Sequence, residues 1–459
     1  MFVDRTDRLA DNDPFLGYGA AVTPGRDGPL VFVTGHGEAN RLLRWENDQL
    51  VDRSCGVLAD TSRQAIGIAA ADMDADGLEE VYVHNTDSYD GETETTDLLL
   101  DRINHAGRTV WCDVFGEQPN IDRGNQYAGR SVAAVDRLGT GRYGMVIASY
   151  GAALRYYELG DDREITDMAE VVGLECDCYC RSLVAAPLVS ESMDLFVGTD
   201  DGPNRLFRND NGHFVEVADD VGLGDTGCDC RGTVVVDDGD SLGVATVGWE
   251  SQNRIFSRQH GRFVDVAPES FAEPTTARTL LAADFDNDGR QELFVNALGE
   301  PNRLFGQRDG TWEPLELGDA HEPGGCGTGA VVADLDDDGR LELLVVHGEQ
   351  TAQPLSLYSV DTRNSWLRVA PTTQYGAPAR GAVVTLETDQ KQQRRVIDAA
   401  SGYLCQSEPV AHFGLGGETT PRLEPQAVTV RWPDGREHAI TSPDSETTHR
   451  ISHPAANPE

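Results

Sequence analysis

Three short segments of the sequence place acidic residues at every second position, a spacing typical of a cation-binding loop. Each holds three aspartates, a glycine directly after the third, and a glutamate three residues beyond that glycine. Hard cations such as Ca²⁺ take about six to eight oxygen ligands, which alternate carboxylates on a tight turn supply. We therefore predict three calcium sites, each completed by one backbone carbonyl. Their ligands are Asp72, Asp74, Asp76, Leu78 and Glu80; Asp284, Asp286, Asp288, Arg290 and Glu292; and Asp334, Asp336, Asp338, Arg340 and Glu342.

The alternative to calcium sites is a set of solvated surface acids, which predicts scattered charge rather than three matching loops. The related stretches that begin at Asp136 and Asp237 lack the alternating carboxylates. We therefore predict no calcium at those two places.

Four arginines recur at one position relative to these loops. Arg278 lies six residues before Asp284, and Arg130, Arg181 and Arg231 hold the same offset in neighbouring segments. Four guanidinium groups at one place repel one another unless acids or an anionic ligand lie among them. Internal ion pairing and anion binding therefore both remain open. We name the four arginines, together with Trp249, as candidate ligand-binding residues.

Histidines and further acids supply candidates for proton transfer. The three histidines stand at similar places in TGHGE, VHNTD and VHGEQ. A histidine or aspartate near bound anions is suited to general acid–base work. The catalytic candidates are His36, His84, His347, Asp177 and Asp229.

Two cysteine pairs, Cys178 with Cys180 and Cys228 with Cys230, occupy matching places in adjacent segments. Side chains two residues apart on a strand share one face. Four thiolates on adjacent strands are able to coordinate Zn²⁺ tetrahedrally. Two disulfides, or small buried thiols, explain the pattern equally well, so all three interpretations stay open.

These residues are positioned by an internal repeat. AADMDADGLEEVYV (70–83) recurs at 282–295 and 332–345, and an NR[LI] line recurs at Asn204, Asn253 and Asn302. Each repeat of about fifty residues holds four short apolar runs between Gly, Asp and Asn turns, which indicates a four-stranded propeller blade. We predict an all-β fold: a short segment 1–16, then a seven-bladed β-propeller over 17–365. An open solenoid is the alternative, and six or eight blades also fit the count.

The repeat stops after residue 365. Alternating runs separated by Gly and Pro turns then predict a small β-sandwich-like domain over 366–442, followed by an acidic and polar tail over 443–459.

Two resemblances accompany these patterns. The acidic repeats resemble the FG-GAP and VCBS calcium-binding propeller repeats. Gly376 to Ala382, the Gly402-Tyr403…His412-Phe413-Gly414 stretch and Trp432-Pro433-Asp434-Gly435 resemble the ASPIC/UnbV domain. The combination is similar to the cartilage acidic protein family, which implies a calcium-binding propeller and little about chemistry.

Charge excludes several classes of function. Acidic residues outnumber basic ones 78 to 37, giving a formal net charge of −41. Nucleic-acid binding needs a basic face, so that class is excluded. No apolar run is long enough to cross a membrane. Lys391 is the single lysine, and acid excess with so little lysine indicates a halophilic, archaeal source, although an ordinary acidic extracellular protein also fits.

The first fifteen residues contain no apolar core of a secretion signal. We therefore expect a cytoplasmic protein, or a secreted one if the N-terminus is processed. The function we expect is a calcium-binding propeller that binds an anionic small molecule or protein at the channel mouth opposite the calcium loops. The alternative is an enzyme, such as a cyclase, lyase or hydrolase of isoprenoid or secondary metabolism, with its active site in that mouth.

Overall fold

The computed structural model describes residues 1–105, 108–225, 227–239, 241–308, 310–418 and 420–456. Within them the chain is built mostly of β-strands arranged in four-stranded antiparallel sheets. This confirms the predicted all-β class. The described helices are single turns at Ala169–Val172, Ala218–Val221 and Glu269–Ala272, with 3₁₀ turns at Thr6–Arg8, Gly56–Leu58, Val114–Gly116 and Asp319–His321.

Seven four-stranded sheets, numbered 1 to 7 here, each pair their strands in the order given from the first to the fourth. In the described part of the chain these strands are Gly17–Gly25, Gly28–Gly35, Arg41–Glu46 and Gln49–Asp52; Ala65–Ala71, Glu80–Asn85, Leu98–His105 and Arg108–Asp113; Gly129–Val135, Gly144–Ser149, Arg155–Leu159 and Ile165–Asp167; Cys180–Ala186, Asp194–Thr199, Arg205–Asp210 and His213–Glu216; Cys230–Asp237, Leu242–Gly248, Arg254–Gln259 and Arg262–Asp265; Ala277–Ala283, Glu292–Ala297, Arg303–Arg308 and Thr311–Leu315; and Gly327–Ala333, Glu342–His347, Ser356–Val360 and Phe2–Asp4. A two-stranded ribbon joins Ala152–Ala153 to Asp177–Cys178.

The first strands of successive sheets pack side by side, and the first strand of sheet 7 packs against that of sheet 1. The N-terminal strand supplies the fourth strand of sheet 7, where Phe2 pairs with Val360 and Asp4 with Tyr358. The expectation that 1–16 is a separate segment was therefore wrong. Its apolar Phe2 is buried against Phe285 and Phe294, so leaving the segment outside the ring would expose that side chain.

Small residues fill the first strands because these strands crowd the centre. Ala65–Ala71 and Gly129–Val135 are buried along their whole length. At Gly67, a Cβ atom would lie 1.9 Å from the carbonyl oxygen of Arg130, so no larger residue fits without a backbone shift. The apolar cores between neighbouring sheets then form from the alternate side chains of each strand.

The C-terminal region forms two further sheets that share one apolar core, including Leu367, Val384, Phe413 and Trp432. Their strands are Ser365–Thr372, Ala411–Gly416 and Thr448–Ser452; and Val383–Thr388, Gln392–Val396, Pro425–Arg431 and Glu437–Thr441. Thr448–Ser452 pairs in parallel with Ser365–Thr372. The acidic and polar tail expected over 443–459 therefore contains a strand of this region at Thr448–Ser452, where Ile451 is buried in the shared core.

One segment of this region, residues 398–408, enters the centre of the ring, and we call it the channel plug. Its backbone exchanges hydrogen bonds with first strands around the ring: Ala134 N donates to Ala399 O at 2.9 Å, Val22 N to Gln406 O at 2.9 Å, and Glu408 N to Val332 O at 3.1 Å. Gly402 and Thr233 bond to each other in both directions. The plug thereby ties the C-terminal region to the ring.

Candidate functional site

The three acidic loops connect the first and second strands of sheets 2, 6 and 7, at the end of the ring that faces the C-terminal region. In the first loop, Asp72 accepts hydrogen bonds from the backbone N–H groups of Ala75 at 2.7 Å and Gly77 at 3.0 Å. Ala75 and Gly77 have φ of 67° and 90°, so the turn passes twice through the left-handed region. Glu80 accepts from Met73 N at 2.6 Å and closes the loop.

The other two loops repeat this geometry. Gly289 N donates to Asp284 at 2.9 Å and Gly339 N to Asp334 at 2.9 Å. Phe285 N donates to Glu292 at 2.9 Å, and Leu335 N donates to Glu342 at 2.8 Å. The repeated sequence pattern therefore produces one repeated loop structure.

In each loop, two aspartates and the glutamate bring one oxygen each within 4.8 Å of the others. The clusters are Asp72, Asp74 and Glu80; Asp284, Asp286 and Glu292; and Asp334, Asp336 and Glu342. The third aspartates lie outside these clusters in the described structure and instead accept from the backbone N–H two residues ahead, at Leu78, Arg290 and Arg340. The prediction that all three aspartates act as ligands, together with the carbonyls of these residues, stays a prediction.

The clusters have the chemistry that a divalent cation requires. Burial raises the pKa of Asp72, Asp284 and Asp334 to about 7 each, because a charged carboxylate loses its hydration there. Glu80 Oε1, Asp284 Oδ1 and Asp336 Oδ1 are buried and have no hydrogen-bond partner in the described structure. Buried, mutually repelling carboxylates with unused oxygens fit Ca²⁺.

Basic and backbone groups of the C-terminal region lie directly over two of the clusters. Gly414 N donates to Asp284 Oδ2 at 2.8 Å, and Arg368 Nη1 lies 2.9 Å from Asp334 Oδ2. At Asp136, where we predict no calcium, the carboxylate caps Thr140 N and Gly141 N. No described acidic cluster of three includes Asp136 or Asp237.

At the opposite end of the ring, all four predicted arginines line one cavity of about 260 Å³, which we call the mouth cavity. Its lining includes Arg130, Arg181, Arg231 and Arg278, with Tyr18, His36, Glu349 and Tyr403. Each arginine lies on the first strand of its sheet and is buried. Because the repeats share one register, equal offsets in the sequence became neighbouring positions around one axis.

Three of the arginines are paired with acids. Arg231 makes two hydrogen bonds of 2.8 Å to Asp229, Arg181 Nη2 lies 2.7 Å from Asp200, and Arg278 Nη2 lies 2.5 Å from Glu349. The Nη1 groups of Arg181, Arg231 and Arg278 donate no hydrogen bond within the described residues. These three arginines therefore each form an ion pair with a protein acid and keep an Nη1 group that is free to donate.

Arg130 differs, because the described structure gives it no carboxylate within ion-pair distance. Its guanidinium donates to the carbonyls of Gly129 at 2.5 Å and Tyr89 at 2.7 Å, and stacks 4.6 Å from the Tyr150 ring. Burial lowers the pKa of Arg130 to about 10. The cavity thus contains one buried cation without a charged partner.

Tyr403 also lines the mouth cavity, and the sequence alone does not predict it there. It comes from the tip of the channel plug. Burial acts to raise the pKa of this phenol, but Arg181, Arg130, Arg231 and Arg278 together outweigh burial and lower it. The Gly402-Tyr403 stretch was a recognisable motif, but nothing in the sequence indicated that it enters the ring.

The three histidines do not share a site. His36 lines the cavity, whereas His84 is fully buried behind it, where its Nε2 lies 3.0 Å from Asn125 and its Nδ1 accepts from Arg130 N at 3.3 Å. Burial lowers the pKa of His84 to about 3. His347 is buried against Glu322 at 3.2 Å. Grouping His84 and His347 with the mouth was therefore wrong, because their strand ends point them into the packed protein.

The remaining candidates have supporting positions. Trp249 stacks behind the guanidiniums, 4.3 Å from Arg278 and 5.8 Å from Arg231. Both carboxylate oxygens of Asp229 accept hydrogen bonds from Arg231. The side chain of Asp177 lies outside the described residues.

Sequence comparison places these features in a known family. The chain is 38% identical to cartilage acidic protein 1 of Xenopus tropicalis, over 95% of this chain and 74% of that protein. It is also 38% identical to cartilage acidic protein 1 of Homo sapiens, over 93% of this chain and 70% of that protein. The chain belongs to the cartilage acidic protein 1 family. Residues 372–458 match the ASPIC and UnbV family, so the channel plug with Tyr403 lies within that match.

Comparison of structures finds chains of low sequence identity. The crystal structure of Saccharomyces cerevisiae Sqt1 aligns with a TM-score of 0.43 and 14% identity, covering 78% of this chain and 97% of that chain. The crystal structure of BBS1N in complex with ARL6DN, soaked with lead, aligns with a TM-score of 0.45 and 12% identity, covering 78% of this chain and 96% of that chain.

Among the described residues, no helix is both long and apolar enough to span a membrane.

Five of the nine cysteines form two separate groups. Cys178 lies against both Cys176 and Cys180, and these three sulfur atoms form one cluster. Cys228 and Cys230 are buried in the next sheet, where Cys230 lies 3.7 Å from Ser182 Oγ. Within the described structure, no metal-type cluster joins Cys178 and Cys180 to Cys228 and Cys230. Zinc, disulfide and thiol interpretations thus apply to each group separately.

Proposed function

We propose that this protein is a calcium-stabilised, seven-bladed β-propeller that binds a small anion in the mouth cavity. Each of sheets 1 to 7 is taken as a blade, and the two C-terminal sheets as a sandwich-like domain. The packing of sheet 7 against sheet 1 supports a closed ring. The family relationship supports the architecture, while the function is argued from the two sites.

One observation carries the proposal: four arginines from four successive sheets meet in one cavity, and three of them keep a free Nη1 group. Burying guanidinium groups without full compensation is costly, since each loses hydration. An anion in the cavity would supply the missing partners. Charge-assisted hydrogen bonds of this kind are among the strongest that proteins form.

The size of the cavity favours a small molecule over a protein partner. A volume of about 260 Å³ is near the lower end of ligand pockets. The arginines that line the cavity are themselves buried on the first strands. We therefore infer a compact anion as the occupant.

The calcium part of the proposal rests on the three acidic clusters. Residues that would hold the ion are the clustered carboxylates of each loop, whose unused oxygens have no other described partner. A bound Ca²⁺ would offset two of the three carboxylate charges of each cluster and so stabilise the hairpin and its contact with the C-terminal region. The net charge of −41 favours a solvent of molar salt, in which salt ions screen the repulsion between acidic side chains.

Calorimetric titration tests the anion site. Acetate, sulfate and phosphate are each titrated, at constant ionic strength, into the wild type and into an Arg181→Gln/Arg231→Gln variant. We expect at least one anion to bind the wild type with one-to-one stoichiometry and the double variant at least tenfold more weakly. Arg436→Gln, which changes a half-exposed arginine of the C-terminal region, serves as the matched control. Absence of binding by all three anions would contradict the proposal.

A further inference from the structure

Tyr403 is held rigidly where the channel plug meets the mouth cavity. Its backbone N–H donates to Thr279 Oγ1 at 2.9 Å, and that hydroxyl donates to the Tyr403 carbonyl at 3.1 Å. The next residue is fixed as well, because Leu404 N donates to Ser131 Oγ at 3.1 Å. Groups on the first strands of sheets 3 and 6 therefore set the position of a side chain that belongs to the C-terminal region.

The hydroxyl of Tyr403 has no hydrogen-bond partner in the described structure, although the residue is only 6% exposed. Tyr82 donates to Asp97 at 2.6 Å and Tyr143 donates to the Arg380 carbonyl at 2.9 Å, whereas the Tyr157 hydroxyl is buried in the core without a described partner. Buried tyrosine hydroxyls normally find a partner. A free hydroxyl at the wall of a cavity is therefore available to a ligand.

The free donors around the cavity indicate the shape of that ligand. A planar carboxylate is matched by the two-pronged fork of one guanidinium. Here the fork of Arg231 is already used by Asp229, and Arg181 and Arg278 each hold a protein acid through Nη2. The donors without a described partner are the Nη1 groups of Arg181, Arg231 and Arg278 from three sheets, the buried Nε groups of Arg130, Arg181 and Arg278, and the Tyr403 phenol. Single hydrogen-bond donors that approach from several directions suit an anion whose oxygens do not lie in one plane.

We propose that the mouth cavity binds a tetrahedral oxyanion of the phosphate class, and that the Tyr403 hydroxyl donates a hydrogen bond to it. This inference rests on the anion site proposed above and adds its ligand class and a binding residue. It also gives the C-terminal region a direct role, because the ring alone would form an incomplete site. Tyr403 acts here as a binding residue, and no covalent step is implied.

The test compares anions and tyrosine variants on the full-length protein. Phosphate, sulfate and acetate are titrated calorimetrically into the wild type, Tyr403→Phe and Tyr375→Phe, at one ionic strength. Tyr375 lies in the same region but is 45% exposed, so its variant is the matched control. Melting temperatures of all three proteins establish that each is folded.

We expect phosphate to bind at least tenfold more tightly than acetate. We also expect Tyr403→Phe to weaken phosphate binding about tenfold, the usual effect of losing a hydrogen bond to a charged group. Sulfate binding as tightly as phosphate would support selection by tetrahedral shape. Tight acetate binding with weak phosphate binding would overturn this inference and leave the proposed anion site standing. Equal phosphate affinity in Tyr403→Phe and Tyr375→Phe would overturn the role of Tyr403.

Discussion

Arg380 of the C-terminal region makes a fully buried, bidentate ion pair with Glu79 of the ring, with Nε–Oε1 and Nη2–Oε2 distances of 2.5 and 3.0 Å. Thr23 also donates to Glu79, at 2.8 Å, and Arg380 reaches the Val22 carbonyl at 3.0 Å. Glu79 directly precedes Glu80 of the first acidic cluster. This ion pair therefore connects the C-terminal region, two sheets of the ring and the first acidic loop.

Removing one partner of this pair should be costly, because it leaves a buried charge without compensation. We expect Glu79→Gln to lower the free energy of unfolding by about 3–5 kcal/mol. Asp161→Asn removes the exposed partner of Arg142 and should cost less than about 1 kcal/mol, since Asp161 is 93% exposed. Chemical denaturation of both variants measures the difference. Equal losses would show that burial does not control the energy of the Glu79 pair.

Chelation of calcium should destabilise the protein in a pH-dependent way. Without metal, the folded-state pKa of Asp72, Asp284 and Asp334 is raised to about 7 from an ordinary value of 3.8. A raised pKa means that the metal-free fold loses stability as pH rises from about 4 to above 7. Calcium binds the deprotonated carboxylates, so its contribution should grow over the same range. We expect a melting-temperature difference of several degrees between calcium and EGTA at pH 8, and a smaller one at pH 5. A difference that is absent or independent of pH would count against the loops.

Substitutions in matched loops should separate calcium ligands from ordinary turn acids. Asp284→Asn removes a clustered carboxylate, whereas Asp136→Asn alters an aspartate whose described contacts cap backbone N–H groups. Equilibrium dialysis with radioactive calcium should give three bound ions for the wild type and Asp136→Asn, and two for Asp284→Asn. Loss of an ion from Asp136→Asn would disprove the assignment of the calcium-free loops.

Substitution of His36 should affect anion binding, whereas substitution of His84 should affect stability. His36 lines the mouth cavity, so His36→Asn should weaken anion binding several-fold with little change in melting temperature. His84 is buried and hydrogen-bonded, so His84→Ala should cost about 2–4 kcal/mol of stability. Titration calorimetry and thermal unfolding of both variants distinguish these roles. An unchanged stability in His84→Ala would contradict a packing role for that histidine.

The sequence was informative where structure depends on local pattern or on the repeat. The acidic loops follow from their own spacing, and the meeting of Arg130, Arg181, Arg231 and Arg278 follows from a shared register. Contacts between distant segments were not predictable in this way. Phe2 pairs with Val360, and Tyr403 reaches the mouth from outside the repeat. Both depend on the packing of the complete chain, which no local periodicity encodes.

The central claim, an anion site in the mouth cavity, is tested most directly by crystallography. Crystals soaked in tungstate, a heavy tetrahedral oxyanion, would be measured for anomalous scattering at the tungsten edge. The account predicts one strong peak within hydrogen-bonding reach of Arg181, Arg231, Arg278 and Tyr403. An empty mouth cavity in the presence of tungstate bound elsewhere on the protein, or at no site at all, would contradict it.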